Sequence, residues 1–132
     1  MKQSLVVFPI FISLLVTLLV SLTNAQTQAT MTINSFEKGG GGGGPSECDG
    51  QYHSDDTPIV ALSTPWYNHG QRCFKSINIY YKDRSVQATV VDECDCSRGC
   101  DTDIVDASKA VWNALSVPKS EWGETKVTWS DA

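Results

Sequence analysis

The cysteines restrict this chain more than any other feature of its 132 residues. All five lie between residues 48 and 100, namely Cys48, Cys73, Cys94, Cys96 and Cys100. A small domain buries only a small core, and each disulfide adds about 2–4 kcal/mol by restricting the unfolded chain. An odd number predicts that at least one cysteine stays free or pairs between chains. The sequence therefore favours a small, disulfide-stabilised domain in an oxidising compartment.

A zinc site is the alternative use for Cys94, Cys96 and Cys100. Structural zinc takes four ligands, and the spacing C-x-C-x3-C is not typical of a zinc knuckle. We therefore predict no metal site and no cofactor.

Residues 1–25 are typical of a secretory signal peptide. Lys2 supplies a positive start, the stretch from Leu5 to Val20 is mostly apolar, and the small residues Thr23 and Ala25 precede a cleavage site after Ala25. The apolar run of about 16 residues is shorter than the roughly 20 that span a bilayer. The sequence predicts a secreted protein of the extracellular space, either the apoplast or the cell wall.

Composition limits the partners. The chain has 10 Lys+Arg against 15 Asp+Glu, for a net charge of -5. This balance disfavours nucleic acid, which requires a basic face, and it also disfavours an anionic membrane surface. The hydrophobic content of 41% is ordinary for a globular domain.

The segment 26–44 is expected to be a flexible leader. Gln26 to Lys38 is polar without periodicity, and residues 39–44 are six consecutive glycines. Glycine loses the most backbone entropy on ordering and has no side chain to bury. The folded domain is therefore expected to span residues 45–132, with its first ordered residues near Ser46.

The pattern of this domain is mostly β. Apolar residues alternate over 76–81 and 85–92 around a polar turn at 82–84, which predicts a hairpin. Shorter strands are expected at 59–62 and 126–130. Together they indicate five or six strands in a small closed or half-closed barrel.

One helix is expected to accompany these strands. An apolar stripe at helical spacing runs from Ala107 to Leu115. Asp106 precedes it as a candidate N-cap, and Pro118 ends it.

Several motifs resemble those of the kiwellins, also called ripening-related proteins of plants. They are GPSECDG at 44–50, YHSDDTP at 52–58, VVDECD at 90–95 and IVDAS at 104–108. The resemblance covers nearly all of residues 44–132. It implies a mostly β fold, a six-stranded double-psi β-barrel with one short helix, as in barwin and the first domain of expansins. It also implies a secreted protein of ripening or defence that binds an extracellular protein, such as a secreted microbial enzyme, without catalysing a reaction.

The chain departs from the kiwellin pattern after Cys100. The loop there is short and lacks its usual cysteine, while Cys96 stands where the family often has serine. With these differences, we expect a Cys73–Cys94 disulfide and a second one from Cys48 to Cys96 or Cys100. Spacing alone does not fix the connectivity.

A candidate binding face comprises Trp66, Tyr67, Asp92, Glu93 and Asp106. Aromatic rings on a loop stack on sugars or anchor protein contacts, although they also cover small cores. The carboxylates favour a basic patch on the partner through complementary charge.

Two glycan functions are alternatives. An expansin-like module would bind or loosen cell-wall polysaccharide. A glycoside hydrolase would use Asp106 as the acid and Asp92 or Glu93 as the second carboxyl, about 6.5–9.5 Å away. Against hydrolysis, a helix cap explains Asp106 and bonds to loop amides explain Asp92, so no catalytic residue is assigned. Residues 53–56 (HSDD) are interpreted as a turn in preference to a metal or acid–base cluster.

Overall fold

The computed structural model describes residues 25–132, so the predicted signal peptide lies outside the described residues except for Ala25. Within this range the chain forms six strands, two short α-helices and three 3-10 turns. The strands are β1 (Thr27–Ile33), β2 (Ile59–Ser63), β3 (Ser76–Tyr81), β4 (Arg84–Cys94), β5 (Ile104–Ala107) and β6 (Glu124–Asp131). The helices are α1 (Thr64–Tyr67) and α2 (Lys109–Ala114), and the 3-10 turns are Asn68–Gly70, Cys96–Arg98 and Lys119–Glu121.

The six strands close into a barrel in the order β1-β5-β2-β4-β3-β6. The pairs β1–β5 and β2–β4 are parallel, and the other four pairs are antiparallel. Among the described strands, closure leaves no open sheet edge through which the barrel could pair with another chain. The predicted mostly β barrel is confirmed.

The predicted hairpin is β3 and β4. Ile77, Ile79 and Tyr81 alternate into the core from β3, and Ala88 and Val90 do so from β4. Tyr81 pairs with Arg84 across the turn, so the alternation and the turn position follow the sequence pattern.

Asp106 does not cap the helix, contrary to the prediction. Helix α2 begins at Lys109 with Ser108 as its N-cap residue, and Asp106 lies inside β5. The backbone of Asp106 pairs with Thr32 on β1 and with Ala61 on β2, so it is part of the barrel wall. Its Oδ1 accepts a hydrogen bond from Thr32 Oγ1 at 2.8 Å instead of from helix amides.

The prediction of a flexible leader is also wrong for the segment 26–44. Strand β1 pairs with β5 on one side and with β6 on the other, so the folded domain includes residues from Thr27 onward and does not start near Ser46. Met31 from this strand is fully buried in the barrel. Pairing with β5 and β6 and the burial of Met31 stabilise this strand, which the polar composition of the segment does not indicate.

After β1 the chain crosses the outer surface of the barrel. Phe36 is buried there against Ile59, Ala61 and Val91, which form a second, smaller apolar cluster. The glycine run follows as a compact turn, because a Cβ at Gly42 would collide with the backbone of Ser35. These glycines permit a close approach of the chain to itself, so they do not act as a tether.

The carboxylate of Asp55 anchors this crossing segment. It is buried, its Oδ2 accepts a hydrogen bond from Ser35 Oγ at 2.7 Å, and its Oδ1 accepts one from the Phe36 amide at 2.7 Å. In return, the Asp55 amide donates to Glu37 Oε2 at 2.8 Å. The turn expected at 53–56 therefore also fastens the segment that leaves β1.

We predict that Asp55→Ala lowers the free energy of unfolding by about 3 kcal/mol, because two donors lose a charged, buried acceptor. Asp56→Ala is the matched control, since Asp56 is exposed and makes only a surface ion pair with Lys109. It should cost less than about 0.5 kcal/mol. Urea unfolding of both variants measures the difference, and equal losses would show that Asp55 does not anchor the segment.

The disulfides differ from the expected pairs. Cys48 pairs with Cys73 and Cys94 with Cys100, so the predicted Cys73–Cys94 bridge is wrong and Cys96 is free. Both partners of the first bridge are held beside one stretch of β4. The Cys48 amide donates to the Val91 carbonyl, and the residue after Cys73 donates its amide to the Val90 carbonyl.

Candidate binding cleft

Two carboxylates flank one alanine on the outside of the barrel. In the strand register, Ala61 of β2 lies opposite Asp92 of β4 and opposite Asp106 of β5. Residues paired in this way project from the same face of a sheet, and neighbouring strands are about 4.8 Å apart. The two aspartate backbones are thus about 10 Å apart, and Ala61, Asp92 and Asp106 all line one cleft.

A β-bulge places Asp92 at this position. Val60 pairs with Val90, but the next residue, Ala61, pairs with Asp92 because the register shifts by one residue. Without the bulge, Val91 would lie opposite Ala61. Bulges of this kind redirect side chains at the rims of barrels.

Backbone amides hold the Asp92 carboxylate in place. Its Oδ1 accepts hydrogen bonds from the amides of Glu47 and Glu93, both at 2.8 Å. This confirms the interpretation that Asp92 binds loop amides. Burial raises the pKa of Asp92 above its usual value, although these two amides oppose the shift.

Asp106 is the more strongly perturbed of the two carboxyls. Burial raises its pKa to about 6, the hydrogen bond from Thr32 opposes the rise, and repulsion by Asp92 adds to it. Asp106 therefore exchanges its proton in the mildly acidic range, where ordinary aspartates are already ionised.

These residues belong to a cleft of about 550 Å³. We call it the acidic cleft, and its charged lining residues are Glu47, Asp92, Glu93, Asp95, Arg98 and Asp106. Glu93 Oε2 accepts a hydrogen bond from Thr64 Oγ1 at 2.8 Å, which fixes its direction. Arg98 is exposed and lies 3.8 Å from Asp95, and its single positive charge offsets only one of the five carboxylates.

Trp66 and Tyr67 do not line the acidic cleft, although the sequence analysis grouped them with its carboxylates. Tyr67 is buried, and Trp66 packs edge-on against Trp129 with ring centroids 5.2 Å apart. Burial raises the pKa of Tyr67, and the charges of Glu47, Glu93 and Asp92 raise it further. The structure thus brings Asp92, Glu93 and Asp106 together, buries Tyr67 in the core and packs the partly buried Trp66 against that core.

Sequence reasoning missed Glu47 and Ala61. Glu47 lies beside Cys48 in one of the motifs that carry the family resemblance, but nothing local indicates that its amide reaches Asp92. In the sequence, Ala61 is only one of the four consecutive apolar residues at 59–62. Its role as the floor of the cleft depends on the bulge in its neighbour.

Metal ligation finds no support in the described part of the chain. Over residues 25–132, no group of three or more His, Cys, Asp or Glu side chains is arranged to hold a metal ion. Two of the cysteines considered for zinc, Cys94 and Cys100, form a disulfide. None of the helices in the same range is long and apolar enough to cross a membrane.

The same fold occurs in solved structures of an expansin and of a papain inhibitor. An expansin from Clavibacter michiganensis matches with a TM-score of 0.64 and 21% identity, over 82% of this chain and 50% of the expansin. This expansin has also been solved, as a mutant, in complex with cellohexaose. A Streptomyces papain inhibitor matches with a TM-score of 0.59 and 20% identity, over 83% of this chain and 96% of the inhibitor. The barrel is a double-psi β-barrel.

Sequence comparison defines the family more narrowly. The family model described as Kiwellin-1 matches residues 18–132. Ripening-related protein grip22 of Vitis vinifera is 53% identical over 119 residues, which are 82% of this chain and 54% of grip22. Kiwellin of Actinidia chinensis var. chinensis is 50% identical over 119 residues, 82% of this chain and 55% of that protein.

The chain belongs to the kiwellin family of plant ripening-related proteins. It spans about half the length of these two relatives.

We predict that Asp106→Asn changes how stability depends on pH. Because the folded pKa of Asp106 is near 6 and its usual value is 3.8, the wild-type protein loses stability as pH rises through this window. Asparagine cannot ionise and still accepts the bond from Thr32. Relative to the wild type, the variant should therefore gain up to about 3 kcal/mol between pH 4 and pH 7.

Urea unfolding at the two pH values measures this change. The control is Asp83→Asn, because Asp83 is exposed in the β3–β4 turn. Its difference from wild type should stay constant across the same pH range. A constant difference for Asp106→Asn as well would contradict the raised pKa.

Proposed function

We propose that this protein is a secreted ripening-related or defence protein that acts by binding the basic surface of another extracellular protein, such as a microbial secreted enzyme. The acidic cleft is the contact surface. The observation that carries the proposal is its charge: five carboxylates and a single exposed arginine line one opening. Complementary charge of this kind speeds encounter and selects the partner.

The carboxylates of the cleft are already oriented for binding. Asp92 is held by two backbone amides, and Glu93 is held by the Thr64 hydroxyl. Ordering a flexible side chain costs about 0.5–1.5 kcal/mol on association. Because hydrogen bonds within the fold already fix these two side chains, their binding to a partner would lose little further side-chain entropy.

The lining of the cleft favours a protein over a polysaccharide. Among the described residues that line it, none is aromatic, whereas sugar rings bind well on aromatic side chains. Tyr67 is buried in the core, and the partly buried Trp66 packs against it. The Streptomyces papain inhibitor is named for its action on a protein, which supports the barrel as a scaffold for protein recognition.

We predict that Glu47→Gln with Glu93→Gln weakens partner binding at least tenfold, because it removes two negative charges and keeps the side-chain shapes. The wild type and this variant would be immobilised and exposed to culture filtrate of a plant-pathogenic fungus. Mass spectrometry identifies the proteins that the wild type retains. Calorimetric titration of the most enriched protein then gives the two dissociation constants.

The matched control removes the same charge from another part of the surface. Asp83→Asn with Glu124→Gln changes two exposed residues that do not line the cleft. It should retain the partner with an affinity within about twofold of the wild type. If both double variants weaken binding equally, net charge and not the cleft is responsible, and the proposal fails.

Glycan cleavage is a second candidate, favoured by the pair Asp92 and Asp106. Their backbones lie about 10 Å apart across Ala61, which is compatible with the carboxyl separation of an inverting glycosidase. Asp106, with its raised pKa, would donate the proton, and Asp92 would activate water. The expansin that shares this fold has been solved with cellohexaose, so the barrel can serve a glycan ligand.

This candidate predicts release of reducing sugar from cellulose or other wall polysaccharides near pH 5. Asp106→Asn should reduce the rate at least 100-fold, because the general acid is lost. Asp83→Asn should leave it unchanged. Release that survives Asp106→Asn excludes this residue as the acid, and no release from any polymer leaves binding as the function of the cleft.

A further inference from the structure

The side of the barrel opposite the acidic cleft carries a different surface. The cleft is built on β5, β2 and β4, which are consecutive in the barrel, and the other three strands, β1, β6 and β3, are consecutive on the far side. Their outer surface forms a groove of about 490 Å³. We call it the lysine groove, and its polar lining residues are Gln26, Gln28, Tyr80, Lys82, Lys126 and Thr128.

Hydrogen-bonding side chains form a row across this groove. Gln28 lies opposite Thr128, and Thr128 lies opposite Tyr80, so one residue from each strand contributes. The row spans two strand spacings, about 10 Å. The Tyr80 hydroxyl is 3.3 Å from Ser130 Oγ, and Thr128 Oγ1 donates to Gln26 Oε1. Amides and hydroxyls of this kind both donate and accept, as the hydroxyl groups of a sugar require.

The charge of the groove is the reverse of that of the cleft. No carboxylate lines it, although the chain has 15 Asp+Glu against 10 Lys+Arg. Within residues 25–132, neither Lys82 nor Lys126 takes part in an ion pair. Lys126 Nζ donates one hydrogen bond, to Thr30 Oγ1 at 2.8 Å, and keeps further donors because an ammonium group has three.

We propose that the lysine groove binds a linear polysaccharide of uronic acids. Sugar hydroxyls would bond to Gln28 and Thr128, a pyranose ring would lie on the half-buried Tyr80, and sugar carboxylates would pair with Lys82 and Lys126. An anionic membrane calls for clusters of four to eight basic residues, and a nucleic acid calls for many phosphate contacts, so two lysines fit neither. A neutral glycan would offer neither ammonium group a negative charge to pair with.

This site is independent of the function proposed for the cleft. The carboxylates of the cleft repel a polyanion, so a uronic-acid chain is directed to the groove. Because the two surfaces lie on opposite sides of the barrel, both ligands can be bound at once. The groove would then hold the protein on an acidic polymer while the cleft remains free for its own partner.

The test uses a decamer of galacturonic acid titrated calorimetrically into the full mature chain, without calcium. Lys82→Gln with Lys126→Gln should weaken binding at least tenfold. The matched control is Lys38→Gln with Lys109→Gln, which removes the same charge from exposed residues outside the groove. It should stay within about twofold of the wild type. All four lysines are exposed, and thermal unfolding verifies that each variant is folded.

Further measurements separate this proposal from its alternatives. Cellohexaose, a neutral chain, should bind at least tenfold more weakly than the uronic acid decamer. The cleft variant Glu47→Gln with Glu93→Gln should bind the decamer as tightly as the wild type or more tightly. Absence of binding by the wild type, equal weakening by the two lysine pairs, or equal affinity for cellohexaose would each overturn the proposal.

Discussion

Closure of the barrel by β1 is the interaction on which both surfaces depend. This strand joins β5 to β6, and without it the sheet would end at two open edges. It also fixes β5, which is only four residues long, between β1 and β2. The pairing of β5 with β1 thus fixes the position of Asp106 beside Ala61 on the outer face of the barrel. The groove on the far side is likewise built partly on β1.

The segment after β1 covers part of the outer surface of the barrel and leaves the neighbouring part exposed as the acidic cleft. Phe36 covers the apolar side chains of Ile59, Ala61 and Val91, and the buried Asp55 holds the segment down. Gly42 and Gly44, at the end of the glycine run, then line the acidic cleft. Because glycines have no side chains, this wall leaves the carboxylates accessible. The same segment thus completes the packing of the outer cluster and forms the edge of the cleft.

Local patterns in the sequence predicted part of this architecture, and contacts across the fold determined the rest. Alternation identified β3 and β4 because their apolar residues are two apart and their partners are close in sequence. Strand β1 has a short alternation of Ala29, Met31 and Ile33, but the polar composition around it concealed this signal, and its β5 partners lie more than 70 positions away. The Cys48–Cys73 bridge depends on hydrogen bonds of both regions to β4.

The residues of the acidic cleft were likewise predicted only in part from the sequence. The motif around residues 90–95 and the sequence IVDAS drew attention to Asp92, Glu93 and Asp106, which do share the cleft. The bulge that places Asp92 opposite Ala61 is a register shift, and sequence alone does not reveal it. Burial in this position raises the pKa of Asp106 to about 6, and repulsion by Asp92 adds to the rise. As pH falls through this value the acidic cleft loses a negative charge, and its attraction for a basic partner decreases. Mild acidification would therefore weaken the protein binding that we propose for the cleft.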